Sequence, residues 1–529
     1  MHGRIKTRST EEEAARKLKE RQAKVVAYKQ ISSQIFEMRE KKQLNGVLMN
    51  LLAQALSANP DIYTFWNIRK EVLQYLVAQN ELDQVDISET QTLYDAELPL
   101  TENCLRVNPK SYSTWHHRCW VLSNAPNVNW DNELQICTKY LKMDERNFHC
   151  WDYRRFVVYK AHTTAKDELA FSTKKIHENF SNYSAWHYRS KLLPLLYADR
   201  TENRLCDSKL QEELELVLNA AFTDPSDSSA WFYQRWLLGK QEVSLEIVSA
   251  VLYQNTLHVA LSKHANCTSN GEYTIRLIGY NEDVECEWNP MLSSNRLLQT
   301  LWQGIFAKDI KLIPGLAIEL LSSTTHEIIC RQDLKIVDPS HGRCIGFKKI
   351  HFSPKFGDRV RTELATQMEA CKSLLELEPD SKWTLLTLAL ILRALDSKKY
   401  HEESLGLLEK IRKVDHMRKG YYSDLRNRWV IEQAIEEWLE QYNPTDEKRN
   451  TLDLRNKNLT AVYHKQYFLI ANCVDLRGNN LCPKFLEKLQ SMFKVIFVDK
   501  DDSYVSENED FGSIDSIIKV DSSSDNILT

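Results

Sequence analysis

Apolar and polar positions recur in a fixed register through the first half of the chain. The register is marked by five tryptophans, which are Trp66, Trp115, Trp151, Trp186 and Trp231. Aliphatic residues follow each tryptophan after six and seven positions, so the tryptophan shares one helical face with an aliphatic side chain. Seven positions before each tryptophan stands Asn or Asp, which Pro follows in three copies. Because Pro cannot continue a helix, the pattern predicts a turn and then a helix, here called helix B, with the tryptophan near its start.

A second helix, called helix A, is predicted ahead of the last four turns. A Glu-Leu pair precedes the turn residue by eleven positions in these copies, beginning at Glu97, Glu133, Glu168 and Glu213. We expect helix A to begin at this pair, where a carboxylate complements the helix dipole. Three positions after the tryptophan stands Arg in four copies and Gln234 in the fifth. We interpret the tryptophans as core residues and most of these arginines as links from one hairpin to the next.

The spacing of the tryptophans predicts how the hairpins are arranged. Successive tryptophans are 49, 36, 35 and 45 residues apart, which is typical of helical hairpins stacked into a curved solenoid, or crescent. A weaker sixth copy at Trp383 leads into the apolar stretch 385–395. The sequence therefore predicts a mainly α protein whose helical repeats are interrupted and then resume.

The interruption has the pattern of β structure. Residues 272–278 and 346–352 alternate β-branched or aromatic residues with polar ones, and turn-forming residues lie between such stretches. We expect residues 241–352 to form an inserted, immunoglobulin-like β-sandwich domain of about 100 residues.

A different repeat, with a period of 22 residues, begins near the C-terminus. Residues 452–459 recur as 474–481, and a frayed third copy starts at Ile496. This pattern is typical of a leucine-rich repeat, in which we expect Asn458 and Asn480 to hold the turn through hydrogen bonds to the backbone.

These patterns divide the chain into six segments. They are a charged helical segment (1–43), helical repeats one to five (44–240), the β-sandwich (241–352), the resumed helical repeats (353–445), a short leucine-rich repeat array (446–503) and an acidic, flexible tail (504–529).

The composition of the chain argues against several classes of function. The 529 residues carry a formal net charge of −4 with both signs mixed, which argues against nucleic-acid binding and against a membrane anchor. The first residues lack the apolar core of a signal peptide and the 12 cysteines are scattered, so we expect a cytoplasmic protein with reduced thiols. The sequence has no Cys/His cluster at metal-ligand spacing and no phosphate-binding Gly loop. We expect this chain itself to hold no metal and no cofactor.

The repeats resemble a known family. Residues 108–118 read NPKSYSTWHHR, and the strings Trp-His-His-Arg and Trp-His-Tyr-Arg stand in register with the turns. Residues 44–240 thereby resemble the α subunits of protein prenyltransferases. The resemblance implies a crescent of paired helices that wraps a β subunit. That β subunit is implied to be a helical barrel that binds the isoprenoid diphosphate and a catalytic zinc, which holds the acceptor cysteine as a thiolate.

The order of the segments resembles one branch of that family. Helical repeats, a β insert and leucine-rich repeats occur together in the branch that geranylgeranylates Rab GTPases. This implies transfer from geranylgeranyl diphosphate to C-terminal cysteines of Rab GTPases that an escort protein presents. Two alternatives stay open: the α subunit of a CaaX-type farnesyl- or geranylgeranyltransferase with unrelated appendages, and a non-enzymatic helical-repeat scaffold.

The resemblance also implies which residues support the reaction. Lys110 and Tyr112 stand where the family places a Lys and a Tyr against the diphosphate, and a cation and a hydroxyl donor stabilise its developing charge. His149 keeps the His of a Tyr-His pair in the next repeat, whereas Phe148 replaces the Tyr. A further hypothesis is that the imidazole of His2 touches the partner's metal, although a disordered N-terminus is the simpler expectation.

Overall fold

A computed structural model shows how the repeats fold. It describes residues 10–84, 86–199, 204–239, 244–279, 286–291, 298–339, 342–349, 351–443, 446, 450–493 and 496–498. His2 and the tail 504–529 lie outside these residues. The chain divides into two compact units, one of Met1–Gln241 with Phe356–Leu377, the other of Glu242–Lys355 with Glu378–Thr529.

The first unit is helical apart from one short β-ribbon. Its helices are α1 (Glu11–Glu40), α2 (Gly46–Ala58), α3 (Tyr63–Leu82), α4 (Ile87–Asp95), α5 (Glu97–Val107), α6 (Tyr112–Asn124), α7 (Trp130–Met143), α8 (Phe148–Lys160), α9 (Ala165–Glu178), α10 (Tyr183–Tyr197), α11 (Asp207–Thr223), α12 (Ser228–Leu238) and α13 (Asp358–Leu377). The ribbon pairs β1 (Ala198–Asp199) with β2 (Arg204–Leu205). In none of the described ranges does a helix have the length and apolar character needed to cross a membrane.

The predicted B helices are confirmed as α3, α6, α8, α10 and α12, each with its tryptophan as the fourth residue. Four of them begin at a side-chain N-cap, which Ser111, Asn147, Asn182 and Asp227 provide. The prediction that helix A begins at the Glu-Leu pair holds for α5 but is wrong for α7, α9 and α11, which begin three to six residues earlier.

Each tryptophan also closes its own turn. The indole N–H donates a hydrogen bond to the backbone carbonyl six residues earlier, directly after the turn Asn or Asp. The distances are 2.8 Å from Trp66 to Pro60, 2.9 Å from Trp115 to Pro109, 2.9 Å from Trp151 to Glu145, 2.8 Å from Trp186 to Phe180 and 3.1 Å from Trp231 to Pro225. The same side chain therefore packs in the core and satisfies a turn carbonyl that the helices cannot bond.

The second unit contains two antiparallel sheets. Its strands are β3 (Ile247–Tyr253), β4 (Thr256–Ala265), β5 (Tyr273–Ile278), β6 (Cys286–Pro290), β7 (Gln299–Phe306), β8 (Ala317–Ser322), β9 (Ile328–Asp333), β10 (Lys335–Asp338) and β11 (Arg343–Phe347). One sheet has the order β10-β11-β3-β4-β7-β6 and the other β5-β8-β9. Trp302 and Leu257 from the first sheet and Ile275 and Leu320 from the second belong to one buried cluster. The two sheets thus share a hydrophobic core.

The rest of the second unit combines helices with a parallel ladder. The helices are α14 (Lys382–Asp396), α15 (His401–Val414), α16 (Lys419–Gln441) and α17 (Pro483–Met492). The ladder pairs β12 (Thr451–Asp453), β13 (Cys473–Asp475) and β14 (Ile496–Phe497) in that order. Trp383 lies in the predicted sixth helix B, α14, although as its second residue.

The hydrogen bonds expected from Asn458 and Asn480 come from Asn479 instead. Its Oδ1 accepts from the backbone N–H of Lys457 (3.1 Å) and Leu459 (3.0 Å), and its Nδ2 donates to two backbone carbonyls of the ladder. Asn458 adopts a left-handed backbone conformation (φ 53°) in the same turn. The turn therefore uses the asparagine one position earlier, because that side chain reaches the backbone of the neighbouring copy.

Candidate functional site

The hairpins of the first unit are joined by buried ion pairs. Each repeat arginine grips the glutamate of the next helix A with two nitrogens, and all eight side chains are nearly or fully buried. The closest N–O distances are 2.5 Å for Arg69–Glu97, 2.7 Å for Arg118–Glu133, 2.5 Å for Arg154–Glu168 and 2.7 Å for Arg189–Glu213. This confirms that the arginines link hairpins. The glutamates serve these pairs, which explains why most of them stand inside helix A and not at its start.

A third side chain completes each pair, and sequence reasoning missed it. The residue two positions after the next tryptophan reaches the same glutamate. His117 lies 2.9 Å from Glu97, the Tyr188 hydroxyl donates to Glu168 at 3.0 Å, the Tyr233 hydroxyl donates to Glu213 at 2.7 Å, and Tyr153 bonds Glu133. Each glutamate is therefore held by the helices B on both sides of it. The visible signal was the His or Tyr before the repeat arginine or glutamine in the last four copies.

Burial and charge act in opposite directions on the pKa of Glu97. Burial alone would raise the pKa of Glu97, but the His117 hydrogen bond and the Arg69 charge hold that pKa below its usual range. Burial lowers the pKa of His117, so this imidazole is neutral near pH 7.

The row of ion pairs ends where glutamine replaces arginine. Gln234 donates to Gln367 of α13 at 2.6 Å, and Gln367 donates to the Leu214 carbonyl at 2.9 Å. Both glutamines are fully buried. The contact between α12 and α13 is therefore made by neutral amides, and Gln367 also donates to the Glu363 carboxylate of its own helix at 2.8 Å.

The structure brings the three predicted site residues together at the starts of α6 and α8. The Tyr112 ring meets the His149 ring edge-on at 4.1 Å between centroids. Burial lowers the pKa of His149, the charge of Asp152 opposes this shift and the charge of Lys110 adds to it. Tyr112 is 70% exposed, whereas His149 is 6% exposed. Burial is the main cause of the lowered His149 pKa. The buried His149 ring thus packs against the exposed Tyr112 ring and supports it.

Lys110 is available for another anion. Its Nζ lies 3.4 Å from Asp144, and its side chain remains 48% exposed. Its backbone N–H is held by the Asn108 side chain at 3.0 Å. The backbone is therefore anchored while the ammonium group stays in solvent.

Exposed aromatic residues occupy the start of every helix B but the last. These residues, which we call the aromatic edge, are Tyr63, Tyr112, Phe148 and Tyr183, and each is at least half exposed. Tyr112 and Phe148 are neighbours at 6.0 Å between ring centroids. Exposed aromatic residues that lie side by side, as Tyr112 and Phe148 do, are typical of interaction surfaces. The sequence signal, an aromatic residue three positions before the tryptophan, was overlooked.

A second cation shares this face. His116 follows Tyr112 by one helical turn, and the Lys70 Nζ lies 3.3 Å from His116 Nδ1 and 5.4 Å from the centre of the Trp120 ring. Within the described part of the chain Lys70 makes no ion pair with a carboxylate. The face therefore combines aromatic rings with two cations.

Several of the cysteines are buried, including Cys104 and Cys267. Burial raises the pKa of Cys104, Cys119 and Cys267 to about 12, so these thiols are protonated near pH 7. Among the described residues there is no group of three or more His, Cys, Asp or Glu side chains that could hold a metal ion.

Comparison with known proteins identifies the repeats. The model of the protein prenyltransferase alpha subunit repeat matches residues 94–125, 130–161, 165–196 and 210–241, which contain the last four repeat tryptophans. A solved structure, Candida albicans protein geranylgeranyltransferase-I complexed with GGPP, aligns with a TM-score of 0.32 and 25% identity over 40% of this chain and 66% of that chain.

Relatives of known name extend the similarity beyond the repeats. Geranylgeranyl transferase type-2 subunit alpha of Bos taurus is 38% identical over 508 residues, covering 91% of this chain and 84% of that protein. The protein of the same name from Dictyostelium discoideum is 40% identical over 242 residues, covering 45% of this chain and 75% of its own length. This chain belongs to the family of geranylgeranyl transferase type-2 alpha subunits.

Proposed function

We propose that the chain works as the α subunit of a heterodimer that transfers geranylgeranyl from geranylgeranyl diphosphate to C-terminal cysteines of Rab GTPases presented by an escort protein. Family membership supports the geranylgeranyl transfer and the need for a β subunit. The Rab substrate and the escort protein follow from the resemblance in segment order. The catalytic zinc and the isoprenoid site are assigned to the β subunit.

The observation that carries the proposal is the aromatic edge with Lys110 at its centre. Four aromatic side chains are exposed to solvent along the aromatic edge. Exposed apolar surface of this kind marks interaction sites, which supports docking of the β subunit along the edge. A departing diphosphate gains negative charge, which a preorganised cation and hydroxyl donor stabilise most in the transition state. We assign these roles to Lys110 and the Tyr112 hydroxyl. His149, being buried and neutral, would act by holding the Tyr112 ring.

The β region and the C-terminal ladder are assigned from the resemblance in segment order together with their observed topology. The two sheets with a shared core are proposed to be an immunoglobulin-like β-sandwich, and the parallel ladder with its Asn479 hydrogen bonds a short leucine-rich repeat array. The helical repeats are proposed to form a crescent around the β subunit, with the segment boundaries given above, and the heterodimer to be cytoplasmic.

Reconstitution tests the proposal. The chain is co-expressed with its β subunit, and labelled geranylgeranyl diphosphate is offered with a Rab GTPase plus escort protein or with a CaaX substrate. We expect transfer to the Rab substrate. Transfer to the CaaX substrate alone would favour the CaaX-type alternative, and the absence of both a β partner and transfer would favour the scaffold.

Matched tyrosine variants test the site itself. Tyr112→Phe removes a hydroxyl and keeps the ring, so turnover should fall about three- to thirtyfold while heterodimer affinity stays unchanged. Tyr183→Phe, at the equivalent position two repeats later, is the control and should leave turnover unchanged. Equal effects of the two variants would contradict a special role for Tyr112.

A further inference from the structure

A strongly basic segment lies at the junction of α15 and α16. Residues 410–421, which we call the basic tip, span the end of α15, the 3₁₀ turn His416–Arg418 and the start of α16. They contain five Lys or Arg residues and one Asp, whereas the whole chain has a net charge of −4. The balanced composition of the chain therefore hides a local concentration of positive charge.

The tip also carries an apolar side chain into solvent. Met417 is 94% exposed, more than any other large hydrophobic side chain among the described residues, and Tyr421 beside it is 48% exposed. The turn beneath is fixed, because the Asp415 carboxylate accepts from Arg418 at 2.7 Å and from the buried Tyr422 hydroxyl at 2.8 Å. The local structure therefore holds Met417 outward.

The arginines and the lysines of the tip are used differently. Arg412 is paired with Glu409 at 2.8 Å, and Arg418 is paired with Asp415. Lys410, Lys413 and Lys419 are exposed and make no ion pair with any described residue. The free cations of the tip are thus all lysines on flexible stems.

We propose that the basic tip binds an anionic lipid surface, with Met417 entering the headgroup region and the three lysines contacting lipid phosphates and carboxylates. Lysine stems can lie along apolar material while the ammonium groups stay at the headgroup level. Anionic leaflets attract clustered lysines near their surface.

A protein partner fits the tip less well. The cores of protein interfaces are depleted of Lys and enriched in Arg, and here the arginines already have intramolecular partners. A single outermost Met on a tight turn is suited to inserting between headgroups. The proposal is independent of the transfer reaction.

Vesicle binding by the heterodimer tests this inference. Sedimentation is compared between vesicles containing about a third phosphatidylserine and vesicles of phosphatidylcholine alone. The variant with Lys410→Gln, Lys413→Gln and Lys419→Gln should bind the anionic vesicles about ten- to a hundredfold more weakly. Met417→Ser should weaken binding about threefold or more. The control with Lys263→Gln, Lys484→Gln and Lys488→Gln, which removes the same charge from exposed sites elsewhere, should stay within about twofold of the parent.

The outcomes separate clearly. Geranylgeranyl transfer in vesicle-free solution should be the same for all these variants, because none of the residues lies at the proposed transfer site. Equal weakening by the two triple variants would overturn the inference, as would binding that does not depend on phosphatidylserine. If the parent ignores vesicles but an acidic protein captures it through the tip, the surface is a protein-binding site and the lipid proposal fails.

Discussion

Two rows of side chains on the B helices lie in opposite environments, one buried and one exposed to solvent. At the second and third positions after the tryptophan, His, Tyr and Arg are buried and bound to a glutamate, as Tyr188 and Arg189 illustrate. At the first position of the same helices the aromatic residues stand in solvent, as Tyr183 does. Tyrosine thus links neighbouring hairpins in one row and forms an exposed surface in the other.

The difference teaches how a repeat protein separates stability from function. In the buried row each glutamate receives bonds from both neighbouring B helices. These bonds are shielded from solvent, and they fix the spacing of the helix starts. The exposed row then inherits this spacing, so Lys110 and Tyr112 are positioned by contacts that they do not make themselves.

Breaking the buried row should have the largest effect. Arg154→Ala leaves Glu168 as an uncompensated buried charge, so the free energy of unfolding should fall by about 3–5 kcal/mol in urea denaturation. The double variant Arg154→Met with Glu168→Gln removes both charges and keeps an acceptor for the Tyr188 hydroxyl, so it should recover most of the loss. A loss below about 1 kcal/mol in the single variant would mean that the pair contributes little to stability.

Changing the exposed row should affect turnover and leave stability alone. Lys110→Ala should lower the single-turnover rate of the heterodimer about ten- to a thousandfold, because one preorganised cation is lost from the transition state. Its unfolding free energy and its affinity for the β subunit should match those of the parent. Lys160→Ala, an exposed lysine at the other end of α8, is the matched control. Normal turnover of Lys110→Ala would make this lysine an ordinary turn residue and leave the diphosphate to the β subunit.

The smallest effect should be a dependence of stability on pH, which arises from the titration of His117 and Glu97 in the buried row. Because folding depresses the pKa of His117 below its usual 6.5 and that of Glu97 below 4.5, the unfolded state binds more protons as the pH falls. Stability should therefore be full above about pH 6.5 and decline through the acid range, by about 1 kcal/mol for each unit of pKa depression. His117→Gln should flatten the part of the curve between pH 6.5 and 5 in thermal unfolding scans. An unaltered curve in this variant would argue that other groups control the acid limb.

The helical repeats could be predicted well because their signals are local. A tryptophan, an Asn or Asp seven residues earlier and an aliphatic stripe lie within one turn and one helix, so the starts of the B helices follow from the sequence. The arginine links were also predictable as a role. Their partners were not, because the contact between Arg189 and Glu213 joins residues 24 positions apart and depends on how two hairpins stack.

The sheets and the ladder show the limit in another way. Alternation predicted strands such as β5, but the order β10-β11-β3-β4-β7-β6 also depends on the pairings β11–β3 and β4–β7. These join strands that are not consecutive in the chain, so no local pattern encodes them. In the ladder the choice of Asn479 over its neighbour Asn480 depends on which amide faces the adjacent copy. Adjacent identical residues give no sequence signal for that choice.

The neutral joint between Gln234 and Gln367 has a consequence for how the chain could acquire its insert. The chain leaves the first unit after α12 and re-enters it just before α13, so the two halves of this joint are separated by the whole β region. If α13 detaches transiently, the side-chain amides of Gln234 and Gln367 become exposed, and water can hydrogen-bond both of them. The detachment leaves neither side chain of the joint as an unpaired charge in the core. An arginine–glutamate joint at the same place would penalise every such opening. A repeat array can therefore accept an inserted domain most readily at a contact between hairpins that contains no buried arginine–glutamate pair.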